Sequence, residues 1–225
     1  MGSAIDTTEG KSPGSPGSPG SGAGNYTLLA LGDSYTIGEG VPLYESFPYQ
    51  TVQLLRRSGH AFFAPEIVAR TGWTTAELAN GIVQTPLLPS YDFVTLLIGV
   101  NNEYRGRSLP EFEKEFEALL KQAIQAAGGR ARHVLVLSIP DWSVTPFAGT
   151  HLPDSKGRDK AAIAREIDAF NASARTIAGK YVVDFIDITE HTRGSSWLAA
   201  DLLHPSGQEY GYWAEQCAER ISERI

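Results

Sequence analysis

The stretch that decides the fold is LLALGDSY, residues 28–35. Its first half is a short apolar run, which is typical of a buried β-strand. A Gly-Asp-Ser turn follows at once, so the strand delivers the hydroxyl of Ser34 to the edge of a sheet. A serine hydroxyl is a weak nucleophile unless a neighbouring base takes its proton. Near the other end of the chain, Asp201 and His204 have the spacing of such a base and the acid that orients it.

On the C-terminal side of residues 28–35, strand-like and helix-like segments alternate along the chain. The helix-like segments are 46–58, those that begin at Thr74, Ser108 and Ser206, and 161–178. This alternation predicts a three-layer α/β/α fold with a five-stranded parallel sheet. The predicted strands are Thr27–Leu31, Phe62–Ala69, Phe93–Ile98, His133–Ile139 and Tyr181–Ile186.

Three polar or glycine positions follow directly after predicted strands. Ser34 follows the first strand, Gly72 the second and Asn101 the third. In open parallel sheets, ligands bind beyond the carboxyl ends of the strands, so we expect these residues to lie along one edge. His204 comes just before the last helix, where the chain can fold back over the same edge. The strand pattern alone therefore brings the candidate site together.

The motif GDSY at 32–35, combined with Asp201-x-x-His204, resembles the SGNH (GDSL-type) hydrolases and their lysophospholipase-like members. The resemblance runs from about Tyr26 to the C-terminus. The family usually has Gly-x-Asn-Asp in its third sequence block, and here Asn102 stands in place of the Asp. The family's four marker residues match Ser34, Gly72, Asn101 and His204.

This resemblance implies a flavodoxin-like strand order and a hydrolase activity. It implies that Ser34 is the nucleophile, His204 the base and Asp201 the residue that orients it. It also implies an oxyanion hole formed by the backbone N–H groups of Ser34 and Gly72 and the side-chain amide of Asn101. The expected function is a serine ester hydrolase that acts through an acyl-enzyme on short-to-medium or lysophospholipid-like acyl esters. A carbohydrate O-acetyl esterase or a thioesterase with the same triad is the alternative.

Each candidate also has a structural interpretation. Ser34 can satisfy the backbone of its turn, Gly72 can be an ordinary turn glycine, and Asn101 can cap a loop. Their joint occurrence with the Asp201 and His204 pair favours catalysis. A phosphate-binding module with residues 32–40 as its loop is disfavoured, because that segment lacks the glycine patterns of phosphate loops. A non-catalytic interaction domain would tolerate a missing triad member, and none is missing.

The loops after the third and fourth predicted strands carry apolar and aromatic residues that can line an acyl pocket. Packing of a long loop is the alternative explanation for them. These candidate pocket residues are Tyr104, Trp142, Val144 and Phe147.

The remaining titratable residues are predicted to be structural. Asp33 orients the turn, and Cys217 is a small buried apolar residue. Asp184 and Asp187 suggest a metal site, but no His or Cys at ligand spacing joins them, so a solvated loop is favoured and neither metal nor cofactor is expected. Histidines without a partner visible in the sequence, predicted to be surface or packing residues, are His60, His133, His151 and His191.

Length, composition and charge limit the classes of protein to which the chain can belong. The chain has 225 residues, is 42% hydrophobic and carries a formal net charge of −7. Without a basic run, it is not predicted to bind nucleic acid. A single cysteine permits no disulfide within the chain, and no apolar stretch approaches a membrane span. No signal peptide is visible, which leaves a cytoplasmic protein or the mature form of an exported one; the oligomeric state stays open.

The first 24 residues differ from the rest in composition. Residues 12–20 are three Ser-Pro-Gly triplets, which are typical of a flexible tail or linker, either natural or added for expression. We therefore expect one hydrolase domain, residues 25–225, preceded by the tail 1–24.

Overall fold

The structure is a computed structural model that describes residues 1–2, 24–149 and 158–225. His151 and most of the predicted tail lie outside the described residues. One parallel sheet has the strand order β2-β1-β3-β4-β5, the flavodoxin-like order, which confirms the predicted fold class. Its strands are β1 (Leu28–Gly32), β2 (Glu66–Ala69), β3 (Phe93–Leu97), β4 (Val134–Leu137) and β5 (Asp184–Ile186).

Helices cover both faces of this sheet. On one face the second and last helices pack against each other, and on the other face the third, fifth and sixth pack in series. The helices are α1 (Ser34–Ile37), α2 (Phe47–Arg57), α3 (Thr75–Gln84), α4 (Val100–Tyr104), α5 (Leu109–Ala126), α6 (Lys160–Lys180), α7 (Thr189–Gly194) and α8 (Gly207–Ser222).

The fourth strand is shorter than the predicted 133–139. It covers Val134–Leu137, because His133 lies in a short 3₁₀ turn and Ile139 N donates to the Asn171 side chain.

The second and fifth strands are also shorter than the sequence predicts. Pairing of β2 with β1 begins only at Glu66, because Pro65 has no backbone N–H for a ladder. At the other edge, the predicted strand 181–186 pairs only from Asp184. Val182 has a φ of 58°, so the chain makes a left-handed turn there after α6 before it becomes extended.

The start of the last helix also differs from the usual pattern. The start of α3 is a complete capping box made by Thr74 and Glu77. Ser206 and Glu209 have the same spacing, but the Ser206 side chain makes no cap hydrogen bond. Glu209 is instead buried, and its Oε1 accepts a hydrogen bond from Trp213 Nε1 at 3.0 Å. Glu209 therefore binds Trp213 inside the fold and does not form a capping box with Ser206.

The sheet places the ends of its central strands at one level. Gly32 pairs with Ala69 on one side and with Leu97 on the other, so β1, β2 and β3 end together. A Cβ at Gly32 would collide with the Leu97 carbonyl oxygen and with the Thr36 side chain. Glycine is therefore required here for α1 to begin immediately after the strand.

Candidate active site

Ser34 is the first residue of α1, and its side chain points toward the loop that carries Asp201 and His204. Asp33 forms the cap of this helix and accepts a hydrogen bond from Tyr35 N at 3.1 Å, in line with its predicted structural role. The Ser34 Oγ lies 3.0 Å from His204 Nε2, although the two residues are 170 positions apart in the chain. Ser34 is 5% exposed and His204 is 7% exposed. A hydroxyl and an imidazole thus meet where little water competes with them.

Asp201 holds this imidazole from the other side. Its Oδ2 lies 2.6 Å from His204 Nδ1, and its Oδ1 accepts the backbone N–H groups of Leu203 and His204 at 3.0 and 2.9 Å. Burial raises the pKa of Asp201, but hydrogen bonds from the His204 side chain and from these N–H groups outweigh burial and lower it below its usual value. A carboxylate at Nδ1 places the proton there and leaves Nε2 free to accept one.

The loop that carries both residues is a tight turn. Ala199 N donates to the His204 carbonyl at 2.8 Å, and Leu198 forms an antiparallel bridge with Pro205. At the tip, Leu202 has a φ of 59° and its side chain is 52% exposed. A left-handed leucine is rare and costs free energy, so the ties across the base of the loop must hold this conformation.

The other predicted site residues lie around the same edge. Gly72 has a φ of 81°, a conformation that favours glycine, in the turn after β2. Asn101 lies in the first turn of α4, directly after β3, and its Nδ2 donates to the Trp73 carbonyl at 3.0 Å. An amide nitrogen carries two N–H groups, so this bond uses one and leaves a second donor.

Asn102, which stands where the family usually has Asp, braces the same loops. It is 1% exposed; its Oδ1 accepts Thr75 N at 3.0 Å and its Nδ2 donates to Thr75 Oγ1 at 2.6 Å. Thr75 begins α3, three residues after Gly72. The neutral amide therefore joins the loop after β3 to the turn after β2, and it can both donate and accept in doing so.

One cavity of about 590 Å³, open to solvent, connects these residues. Val144 lies outside it: its side chain is 44% exposed and lines an adjoining cleft. The sequence analysis missed four lining residues, and each adjoins a predicted site residue in the chain: Tyr35, Thr71, Val100 and Leu203. The cavity is lined by Ser34, Tyr35, Thr71, Gly72, Val100, Asn101, Tyr104, Trp142, Phe147, Leu203 and His204.

Comparison with known proteins identifies the family of the chain. Residues 30–212 match the GDSL-like lipase/acylhydrolase family. The chain belongs to this family. It is accordingly an ester hydrolase of the SGNH type, and the resemblance found in the sequence is confirmed. A comparison with curated proteins gives no significant match.

Several solved structures share the fold of this GDSL-like acylhydrolase. A lipase/acylhydrolase from Enterococcus faecalis matches with a TM-score of 0.69 at 18% identity, over 88% of this chain and 96% of that one. A lipase from a goat rumen metagenome has a TM-score of 0.69 at 18% identity, over 87% and 97% of the two chains. An acetylxylan esterase from Geobacillus stearothermophilus has a TM-score of 0.64 at 18% identity, over 87% and 94%.

Trp142 forms a fixed wall of the esterase cavity. It is 2% exposed, and its Nε1 donates to Glu103 Oε2 at 2.8 Å. The ring of Tyr104 meets it edge-on with centroids 5.4 Å apart, and Phe147 lies 6.2 Å away. The buried Glu103 carboxylate also pairs with Arg158. Burial raises the pKa of Glu103, while the hydrogen bonds from Trp142 and Arg158 oppose that effect.

Two of the remaining histidines have partners that the sequence did not reveal. His133 Nδ1 lies 2.8 Å from the Asp92 carbonyl oxygen, which is consistent with a packing role. His191 Nδ1 lies 2.9 Å from Glu209 Oε1, and its ring stacks on Tyr212 with centroids 3.6 Å apart. Stacking fits the predicted packing role of His191, and the sequence did not reveal its partner because that partner is a carboxylate buried at the start of α8.

Of the two acidic residues near β5, Asp187 lies in an exposed loop as predicted, whereas Asp184 does not. Asp184 lies in the strand and pairs with Arg224, and Asp187 pairs with Arg175 at 2.5 Å. In the described part of the chain, no group of three or more His, Cys, Asp or Glu residues could hold a metal ion. Cys217 is fully buried, as predicted, and burial raises the pKa of its thiol to about 12. Within the described residues, no helix is long and apolar enough to span a membrane.

Proposed function

We propose that this acylhydrolase cleaves acyl esters through a covalent acyl-enzyme formed on Ser34. The observation that carries the proposal is one hydrogen-bonded chain of three side chains. Ser34 Oγ lies 3.0 Å from His204 Nε2, and His204 Nδ1 lies 2.6 Å from Asp201 Oδ2. The base therefore contacts the nucleophile on one side and the orienting acid on the other, which is the arrangement that proton transfer requires.

The reaction proceeds in two halves. Ser34 Oγ attacks the ester carbonyl carbon while His204 Nε2 takes the hydroxyl proton, and the imidazolium is stabilised by Asp201. The tetrahedral intermediate collapses, the bond to the alcohol oxygen breaks, and His204 gives its proton to the leaving alcohol. A water molecule, deprotonated by the same imidazole, then attacks the acyl carbon, and Ser34 leaves with the proton. The products are one alcohol and one carboxylic acid.

The negative oxygen of each tetrahedral intermediate is held by three donors in this proposal. They are the backbone N–H groups of Ser34 and Gly72 and the second amide N–H of Asn101. The assignment of these donors is supported by their position, because all three residues line the cavity that His204 also lines. Removal of one such donor commonly costs about 2.7–4 kcal/mol of transition-state stabilisation.

The acyl group occupies the aromatic end of the cavity. Tyr104, Trp142 and Phe147 offer an apolar surface beside Ser34, and Trp142 cannot easily move because Glu103 holds its indole N–H. A wall of this kind favours short-to-medium acyl chains, including those of lysophospholipid-like esters. Each methylene group buried against it contributes about 0.8 kcal/mol to binding.

Removal of O-acetyl groups from a carbohydrate is a second candidate function, with thioester cleavage as a variant of the same chemistry. The acetylxylan esterase among the structural neighbours shares only the fold at 18% identity. The observation in favour of this candidate is the fixed position of Trp142, which can close the pocket against a methyl group.

Labelling with a fluorophosphonate tests the proposal directly. We expect wild type to be labelled at Ser34 and to hydrolyse p-nitrophenyl butyrate, and Ser34→Ala to do neither while it keeps the wild-type melting temperature. Ser58→Ala is the matched control, because this serine is exposed at the end of α2. Ester hydrolysis or labelling that persists in folded Ser34→Ala would contradict the proposal.

A further inference from the structure

A second carboxylate lies next to the proposed base. Glu39 Oε2 is 3.9 Å from His204 Nε2, the nitrogen that also contacts Ser34. The hydroxyl of Thr71 donates a hydrogen bond to the same oxygen. Thr71 and His204 both line the cavity, and the Glu39 side chain is 34% exposed. The carboxylate therefore lies next to two residues that line the cavity.

The position of Nε2 fixes where the alcohol part of an ester must lie. The leaving oxygen takes its proton from Nε2 and must come within about 3 Å of that atom. Since Glu39 Oε2 is 3.9 Å from Nε2, the leaving oxygen lies within about 7 Å of the carboxylate. A substituent on the second carbon lies about 4 Å from the leaving oxygen, so it is at most about 11 Å from the carboxylate and nearer where the alcohol turns toward Glu39. Glu39 is thus close to the alcohol side of the bond that breaks.

The charged groups nearby leave Glu39 available to a substrate. Asp201 already accepts three N–H groups through its two oxygens. Arg105 donates to the Gly72 carbonyl and to both oxygens of Glu77, at 3.2 and 3.1 Å. Across the residues that the structure describes, no Lys or Arg forms an ion pair with Glu39, and its carboxylate accepts a hydrogen bond from Thr71. An ionised carboxylate accepts about four hydrogen bonds, so capacity remains.

We propose that Glu39 selects the alcohol part of the ester. It favours alcohols that carry hydroxyl or ammonium groups near the ester oxygen and disfavours alcohols with a negative charge there. The inference rests on the proposed function, because it places the leaving group at His204. It deepens that function by narrowing it: esters with an anionic group on the alcohol, including lysophospholipids with the phosphate on their glycerol, become poor substrates relative to esters of neutral or cationic alcohols.

A matched series of butyrate esters tests the selection. The alcohols are ethanol, ethylene glycol, choline and isethionate, which share a two-carbon chain and differ only in the group on the second carbon. Butyrate release gives kcat/KM for wild type and for Glu39→Gln, which keeps the shape of the side chain and an oxygen that can accept from Thr71. For each ester, dividing kcat/KM of the variant by kcat/KM of wild type cancels the intrinsic reactivity of that ester.

Relative to ethyl butyrate, we expect Glu39→Gln to lower kcat/KM for the choline ester about tenfold and to raise it for the isethionate ester about tenfold, a screened Coulomb effect over about 7 Å. The ethylene glycol ester should lose a smaller factor, because it offers a neutral donor. Raising the salt to 1 M should shrink both charge effects. Glu215→Gln, which removes the same charge from an exposed position of α8, should change none of these ratios.

Two outcomes separate failure of this inference from failure of the proposed function. If Glu39→Gln changes all four esters by the same factor, the carboxylate acts on the imidazolium alone and the selection of alcohols is refuted. If wild type hydrolyses none of the four esters and resists the fluorophosphonate, the proposed function itself fails.

Discussion

Replacing Asp201 by Asn should inactivate the enzyme by selecting the wrong imidazole tautomer. The Oδ1 atom of Asp201 accepts the backbone N–H groups of Leu203 and His204, and Oδ2 faces His204 Nδ1. An Asn amide has one oxygen and one NH₂ group. If its oxygen stays with the two backbone donors, its NH₂ group faces Nδ1. The imidazole must then carry its proton on Nε2, where it cannot take the proton of Ser34.

The opposite amide orientation is the only one that preserves the active tautomer. It would set the NH₂ group against two backbone N–H groups, and each unsatisfied donor costs about 1–3 kcal/mol. The active tautomer is therefore disfavoured by about 2–6 kcal/mol, and each 1.36 kcal/mol is a factor of ten in rate. The Asp201 side chain is 40% exposed, so water offsets part of this cost. We expect kcat/KM to fall about 10²- to 10³-fold, a loss of about 3–4 kcal/mol.

The assay is turnover of p-nitrophenyl butyrate by wild type, Asp201→Asn and Asp201→Ala, with thermal unfolding as the check on folding. An alanine has no amide that could select the inactive tautomer, so Asp201→Ala should be at least as active as Asp201→Asn. Nitrogen-15 shifts of the His204 ring, assigned by difference from His204→Gln, should show Nε2 protonated in Asp201→Asn. Activity of Asp201→Asn within about threefold of wild type, or clearly above that of Asp201→Ala, would refute this reasoning.

Two further predictions concern the pocket and the nucleophile turn. Across p-nitrophenyl esters from C2 to C12, the chain-length preference should shift in Trp142→Ala and Phe147→Ala; a sharp optimum at C2 unchanged in both would favour the deacetylase alternative. Burial raises the pKa of Asp33 to about 8 from 3.8. The folded protein therefore keeps a proton that the unfolded chain releases, and stability falls as pH rises between these values. Asp33→Asn still caps α1, and between pH 5 and pH 8 its free energy of unfolding in urea should rise by about 3 kcal/mol relative to that of wild type. The same pH dependence of unfolding free energy in the two proteins would contradict this prediction.

The sequence predicted the fold because its signals are local and agree with one another. Apolar runs of strand length alternate with capped amphipathic helices, and this pattern allows few topologies other than a parallel α/β sheet. Ser34, Gly72 and Asn101 could be placed along one edge for the same reason, because each directly follows a strand. Some errors in strand length occur at Pro65 and Val182, where one residue interrupts a run that is otherwise strand-like. The predicted fourth strand was also too long at both ends, because its first residue lies in a 3₁₀ turn and its last donates its backbone N–H to a side chain.

The charged side chains behind and beside the site were decided only by tertiary structure. No pattern in the sequence marks Glu103 or Glu209 as buried, yet both are buried, next to Trp142 and His191 respectively. Nothing local marks Glu39 as a neighbour of His204, since 165 positions separate them. A carboxylate has no periodic pattern of its own, and its role depends on which distant donor the folded chain brings to it. Sequence thus determined where the strands deliver the reactive groups, and long-range packing decided which charges surround them.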